Sequence, residues 1–564
     1  MRLQKILLPL VFYLNIFNAY SQNKLANPVD GKLLLSANYA ELRSMHFHSG
    51  IDLKVGGKSG AKVYAVDDAY VYRLSVSPYG YGNCVYLKHP CGYISVYGHL
   101  HKFNTNIANF IETEQYKRRS FAIDTVFVEP VFKVKRGDII GFAGNSGNSF
   151  GPHLHFEIRD SSNIPVNPIP KFYDIPDNIP PTVKSLTIFT VDSFMNSGFS
   201  RITHDIRLKN VKGKHHITKT IEAESPLFFG VETFDNVTET YNKIGIRKIH
   251  VLVDDTAIFS CRLDSVGFEK NRYINSLQYY GLLINENRNV IKTFVEPGNK
   301  LDKYQNVVNR GIVELKDSLT HKVEIILEDD YYNSSVLSFS IKAKKTSGKN
   351  NLLHCSKSNC VQWNSDCSIF CKGAALLIKS GTFYDNICVE MEKSDSIRAN
   401  LSSTYFVNLH SAAVHKPFDI VIKASVDSSL RSKVMLGALR NGKLFAVNAG
   451  YFMGFVHAKI SSSAHYFVTV DTISPLVTPQ FKNNEDLRKR TGVKIRIEDD
   501  FSGIQHYAGY IDGEWALFEY DAKNHLLTYT FDPKRIGRNK KHSLKLIVSD
   551  SKKNTTVFES GFVW

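Results

Sequence analysis

Three short segments of the chain carry histidine and aspartate at spacings that suit a metal ion. In His46-Phe47-His48-Ser49-Gly50-Ile51-Asp52 the pattern H-x-x-x-D would set His48 and Asp52 on one face of an extended strand, because strand side chains repeat every second residue. Gly151-Pro152-His153-Leu154-His155-Phe156-Glu157 alternates as a strand that sends His153, His155 and Glu157 to one face and Leu154, Phe156 and Ile158 to a core. Tyr97-Gly98-His99-Leu100 closes a third pattern, with Tyr93, Ser95, Tyr97 and His99 on one face and Ile94, Val96 and Leu100 on the other. Imidazole and carboxylate are ordinary zinc ligands, and three protein ligands leave a fourth position for water. Each segment alone reads equally well as a surface or hydrogen-bonded histidine. The chain has no H-E-x-x-H helix, so a glutamate base of that type has no candidate.

The elements that would position these residues are mostly strands. Period-2 alternation dominates, and long 3.6-period segments are scarce. Turn signals such as Pro78-Tyr79-Gly80, Pro90-Cys91-Gly92 and Gly144-Asn145-Ser146-Gly147 punctuate the first part of the chain. A short helix is expected over 107–118, inside an insertion running from Lys102 to Phe132. The proline-rich joint 175–181 and the basic polar stretch 344–351 suggest boundaries. The expected organisation is a first domain over 30–175, β-rich domains over 182–345 and 352–470, and a last domain over 472–564. The fold class is mainly β, with immunoglobulin-like sandwiches expected at 182–345 and 472–564. The acidic turns Asp499-Asp500 and Asp550 read as solvated loops rather than as calcium ligands.

Bulk properties set the limits. With 564 residues, 43% hydrophobic and 12% aromatic, the chain exceeds one core and reads as folded. A net charge of +16 suits anionic envelope polymers and nucleic acid alike, so charge assigns nothing by itself. No nucleotide-binding loop is present, and no nucleic-acid partner is expected. Arg2 and Lys5, the apolar run 6–17 and the small residues before Gln22 read as a signal peptide over 1–21, implying export to a periplasm, envelope or extracellular space. No later stretch is long and apolar enough to read as a transmembrane helix. Of eight cysteines, Cys355, Cys360, Cys367, Cys371 and Cys388 crowd one segment. In an oxidising compartment they read first as disulfides, of undetermined connectivity.

Taken in order, the motifs HSGID (48–52), VYAV (63–66), YGYGN (79–83), YGHL (97–100), KRGDIIGFAGNSG (135–147) and GPHLHFE (151–157) resemble the lysostaphin/LytM-type zinc metallopeptidases. The resemblance covers roughly Leu33 to Pro170 and implies an N-terminal LytM-type β-sheet peptidase domain. It implies that His48, Asp52 and His155 hold Zn2+, with His99 and His153 as catalytic histidines beside the bound water. It implies peptidoglycan as substrate, the D-alanyl–diaminopimelate cross-link in particular, with the C-terminal domains meeting wall, membrane or envelope proteins. The alternative within the same fold is an inactive relative that binds peptidoglycan or activates an amidase. His46, His89 and His101 fall outside the matched catalytic positions and read as structural. The chain departs from the family at Asp67-Asp68-Ala69, where an Asp-Gly pair is usual, and in the 102–132 insertion, which could wall the substrate groove or cover the zinc.

Overall fold

The computed structural model describes residues 24–169, 171–191, 200–344, 359–394 and 401–564. The expected signal peptide, Cys355 and nearly all of the 344–351 stretch lie outside the described residues. The chain is mostly strand, as its alternation predicts.

The N-terminal unit contains β1 (Leu35–Ala37), β2 (Ile51–Lys54), β3 (Lys62–Tyr64), β4 (Ala69–Val76), β5 (Asn83–Lys88), β6 (Ile94–Phe103), α1 (Thr105–Arg118), β7 (Ile123–Val134), β8 (Ile139–Ala143), β9 (His153–Arg159) and β10 (Pro165–Val166). Its main sheet runs β1-β2-β9-β6-β5-β4-β7, with β8 bridging β3 and β6 and β10 beside β9. Strand β9 therefore lies between β2 and β6. Leu154, Phe156 and Ile158 are fully buried in the core with Ile51, Leu53, Tyr97 and Leu100. Each such side chain contributes roughly 1.5–3 kcal/mol by leaving water, and this burial fixes the register that sends the alternate residues of β9 to the opposite face.

Helix α1 forms where a helix was expected. Asn104 caps it by accepting from the Ile107 N–H at 3.0 Å, and Arg119 ends it in the left-handed region. Ile107, Ile111 and Gln115 form its buried stripe.

The joint at 175–181 is packed rather than loose. Ile169, Phe172, Tyr173 and Ile175 belong to the same core as Leu186, Ile188 and Val231 of the next unit. That unit sets a four-stranded sheet (strands within 182–292) beside a six-stranded one (strands within 214–343), counted among the described residues. The unit after it, to Val470, is built on a nine-stranded sheet with its own core. The last unit pairs four- and five-stranded sheets around Ile495, Phe518, Leu546 and Phe562.

The insertion carries this last unit. Tyr116 on α1 meets Trp515 edge-on at 5.2 Å, the Arg535 guanidinium lies 3.8 Å from the Tyr116 ring centre, and Phe121 packs into both cores. Lys523 also donates to the carbonyl of Asn145 and, at 3.4 Å, to that of Gly147.

The cysteine cluster departs from expectation. Among the described residues Cys360, Cys367 and Cys371 are free and Cys388 is disulfide-bonded. Cys360 and Cys388 do face each other across an antiparallel pair. Among the described residues no helix is long and apolar enough to cross a membrane.

Candidate metal centre

The three sequence segments converge around β9. In the β2–β9 pair Asp52 stands opposite His155 and Lys54 opposite His153, while Gly98 of β6 faces His155 from the other side. His48 departs from the expected strand geometry, because it lies in the extended approach to β2 rather than within it. Backbone hydrogen bonds anchor it there, from Ala40 N–H to its carbonyl at 2.8 Å and from its own N–H to Glu41 O at 3.0 Å. Gly50 lets the two segments approach, since a Cβ at that position would sit 2.3 Å from the Phe156 carbonyl oxygen.

His99 is aimed by a β-bulge. The β5–β6 register runs from Val85–Tyr97 to Asn83–Leu100, so an extra residue stands on β6 and His99 adopts φ +58°. The alternation read from sequence breaks at this point. Leu100 joins Tyr97 in the main core, while Ile94 and Val96 pack elsewhere with Cys84 and Tyr86.

The site's chemistry follows from counting protons. A backbone carbonyl only accepts, so His48 Nδ1–H donates to Asn38 O at 2.7 Å and leaves Nε2 with its lone pair. His155 Nε2–H donates to Glu157 Oε1 at 2.8 Å, which leaves Nδ1 bare. Those two nitrogens lie 3.0 Å apart, and Asp52 Oδ1 is 3.1 Å from the first and 2.9 Å from the second. With both rings neutral, three acceptor atoms thus face one another in a buried triangle that calls for a cation, proton or metal, at its centre. Ligands of a tetrahedral zinc, each about 2.0–2.1 Å from the ion, stand roughly 3.3 Å apart, close to this arrangement. Arg43 occupies the other Asp52 oxygen at 3.2 Å, leaving Oδ1 for the centre.

Electrostatics show the same demand for a cation. Burial would raise Asp52, but the adjoining imidazoles of His48, His153 and His155 outweigh it and hold the carboxyl well below its ordinary range. Burial would lower His155, but hydrogen bonds to Asp52 and Glu157 outweigh it and push the imidazole up to about 9.

Glu157 is the group behind His155. It is fully buried, and its Oε1 also accepts from Ser49 and Tyr81 at 2.6 Å each, while Arg159 donates to Oε2 at 2.6 Å. Burial would raise its carboxyl, but the Arg159 guanidinium and the His155 hydrogen bond hold it low, so it remains a charged acceptor. A ligand imidazole oriented in this way is a stronger donor through its other nitrogen. Glu157→Gln is expected to weaken zinc binding by about 10–100-fold, measured by competition with a chromogenic chelator, with the fold retained.

His99 and His153 flank the triangle, their ring centres 4.9 Å apart. His99 Nδ1–H donates to Ser146 O and His153 Nδ1–H to Gly151 O, both at 2.8 Å, so the neutral form of either ring carries its lone pair on Nε2. Burial, reinforced by His155 and His153, pushes His99 down to about 3, and the ring is neutral at physiological pH. His153 Nε2 lies 3.5 Å from Asp52 Oδ1. The remaining histidines stand apart. His46 is exposed and tied to Ser44 O, His101 is exposed, and His89 is held between Asp68 O and Ser95. At Asp67-Asp68-Ala69 the missing glycine is replaced by side-chain hydrogen bonds. Asp67 accepts from the Asp68 N–H, and Asp68 accepts from Lys135 Nζ and Arg136 N.

Arg43, Ser49, Tyr81, Ser146 and Arg159 were not singled out in the sequence. Arg159 had a readable signal, because it continues the 153-155-157 face by one further step. Arg43 and Ser146 had none, since they reach the site from loops.

Residues 46–116 and 110–168 match the model of peptidase family M23, and residues 358–471 match that of a Zu5-like domain. The N-terminal unit is therefore a peptidase family M23 domain of the lysostaphin/LytM type, followed by a long C-terminal extension. The chain is similar to DD-carboxypeptidase/endopeptidase Mpg of Neisseria meningitidis, 32% identical over 128 residues that make up 23% of each protein. It is similar to peptidoglycan DD-endopeptidase ShyA of Vibrio cholerae, 31% identical over 23% of this chain and 26% of the relative. It is also similar to murein hydrolase activator NlpD of Salmonella dublin, 30% identical over 25% and 29%. These matches span about a quarter of each relative's length.

Proposed function

We propose that the chain is a zinc-dependent endopeptidase of the bacterial envelope that hydrolyses peptide cross-links of peptidoglycan, the D-alanyl–diaminopimelate bond in particular. The observation that carries this reading is the buried triangle of His48 Nε2, Asp52 Oδ1 and His155 Nδ1, three acceptors within 3.1 Å of one another. Bound there, zinc would supply Lewis acidity, acidifying water and polarising the scissile carbonyl. His99 offers an unprotonated Nε2, the state needed to take a proton from the attacking water, and His153 in its neutral form would carry its lone pair on the same atom. The ring that takes it becomes an imidazolium, able to return the proton to the leaving amine. Asn38, Glu157 and Arg43 fix the ligand atoms, and Ser146 and Gly151 fix the orientation of the two catalytic rings.

The substrate rests on the names of two relatives, Mpg and ShyA, and the similarity to the activator NlpD keeps a non-hydrolytic role as the competing reading. The presence of both flanking histidines beside three metal donors favours hydrolysis. Purified cross-linked muropeptide dimers are expected to become monomers on incubation with the protein, read by mass. Dimers that persist while another bond is cut would refute the substrate, and dimers that persist with no cleavage would favour the activator reading.

A further inference from the structure

We infer that Asp177, Asp235 and Asp329 form a second metal site, one for a hard divalent cation of the calcium type, buried where the peptidase domain meets the β unit that follows it. One carboxylate oxygen from each lies within 4.8 Å of the others. Asp235 is 1% exposed, and neither of its oxygens has a hydrogen-bond partner of normal geometry. Asp177 Oδ2 is also buried without a partner. Asp329 is 1% exposed and is pinned by the N–H groups of Tyr331 and Asn333 and by the Asn333 amide. The charges that bear most on Asp235 are the carboxylates of Asp329, Asp177 and Asp330, and the Asn236 N–H only partly offsets them. A carboxylate buried among like charges either takes up a proton or recruits a cation.

The chain contains its own control for this reading. Asp471, Asp499 and Asp550 repeat the arrangement at the entrance to the last unit. Asp177 and Asp471 each stand four residues before a proline, and each accepts at Oδ1 from the N–H two residues on, at 3.2 Å. Asp235 and Asp499 each directly follow a strand, Leu227–Phe234 and Gly492–Glu498. Asp329 and Asp550 each bind an asparagine four residues on through both backbone and side chain, at Asn333 and Asn554. The difference lies two residues after the third aspartate. Lys552 stands there in the last unit, its ammonium donating to Asn448 Oδ1 and Ala449 O while its charge acts on Asp471 and Asp550, whereas Tyr331 stands there in the earlier unit. In the last unit Asp471 Oδ2 is taken by the Ser502 N–H and Asp499 by Phe501 and Gly503, so that cluster is satisfied from within. In the earlier one both Asp235 oxygens and Asp177 Oδ2 are buried without such partners, beside Asp329.

The donor set is carboxylate oxygen alone, which selects a hard cation over zinc. A buried cage of several protein oxygens suits calcium, which takes 6–8 oxygens, better than magnesium, which keeps much of its water. The site also adjoins the peptidase centre. Asp330, next in sequence to Asp329, accepts from the amides of Asn38 at 2.9 Å and Asn167 at 2.6 Å, and the Asn38 carbonyl receives the His48 Nδ1–H. The ion would brace the wall from which His48 is aimed.

Calcium chloride is titrated into the full-length protein in calcium-free buffer, by calorimetry and by thermal unfolding, with Asp235→Asn and Asp499→Asn alongside. Wild type should bind one calcium per chain saturably, and its first unfolding midpoint should rise by about 3–6 °C at saturation. Asp235→Asn should bind at least about tenfold more weakly and lose that shift, while Asp499→Asn keeps both. Wild type without saturable binding would overturn the inference even if Asp235→Asn failed to fold. Equal binding by Asp235→Asn and wild type, or loss in Asp499→Asn instead, would overturn it as well.

Discussion

His155→Ala is expected to lose bound zinc and, with it, at least about a thousandfold of the hydrolytic rate. His155 lies on β9 between β2 and β6, is 4% exposed, and contacts the other two members of the triangle through the same nitrogen, at 3.0 Å and 2.9 Å. Without it two donors remain, one neutral and one anionic, which is too few to hold zinc in a closed tetrahedral site. The variant also removes the His155 N–H from Glu157, whose Oε1 keeps Ser49 and Tyr81 and whose Oε2 keeps Arg159. Those three partners keep the buried charge compensated, so the domain should still fold, with a stability loss of about 1–3 kcal/mol. Circular dichroism and thermal unfolding check the fold, and elemental analysis checks the metal. His46→Ala is the matched control, because His46 is exposed and its side chain bonds Ser44 O, away from the triangle; it should keep full zinc and full activity.

His99→Ala should behave differently, keeping its zinc while its turnover falls by about 10²–10⁴-fold. Its ring lies 5.8 Å from that of His155 and takes no part in the triangle, so metal content should match wild type. What is lost is a neutral imidazole held with Nε2 free by the Ser146 carbonyl. The effect should fall on kcat rather than on KM, since the ring acts on the water and the leaving group rather than on substrate binding. Zinc loss together with activity loss in this variant would place His99 among the ligands and break the assignment of roles.

The sequence disclosed the site more fully than the frame around it. Strand β9 was legible because its two faces differ sharply, with Leu154, Phe156 and Ile158 in the core and His153, His155 and Glu157 opposite. The His48–Asp52 pairing was legible as proximity but not as geometry, since His48 comes from a loop and Gly50 permits its approach. The His99 bulge was invisible, because a period-2 pattern carries no mark of an inserted residue. Long-range partners were equally hidden. Asn38 reaches His48 through a carbonyl, which any residue type would supply, and Lys523 reaches the 144–147 loop from a domain 378 residues away in sequence. The insertion was legible as a helix, yet its role as a dock for Trp515 and Arg535 depended on a surface that sequence periodicity does not describe. The acidic turns were noticed only in the last unit, where backbone N–H groups satisfy them. The matching cluster at Asp177, Asp235 and Asp329 is spread over about 150 residues and showed no local signature.

The central claim is that His48, Asp52 and His155 together hold one catalytic zinc. The most direct test is to count zinc in the purified full-length protein by elemental analysis, following hydrolysis of cross-linked muropeptides as the metal is stripped and restored. One zinc per chain, with activity that disappears on stripping and returns in proportion to zinc restored, is the predicted result. Hydrolysis that persists after the metal is gone, or zinc retained in full by His155→Ala, would contradict it.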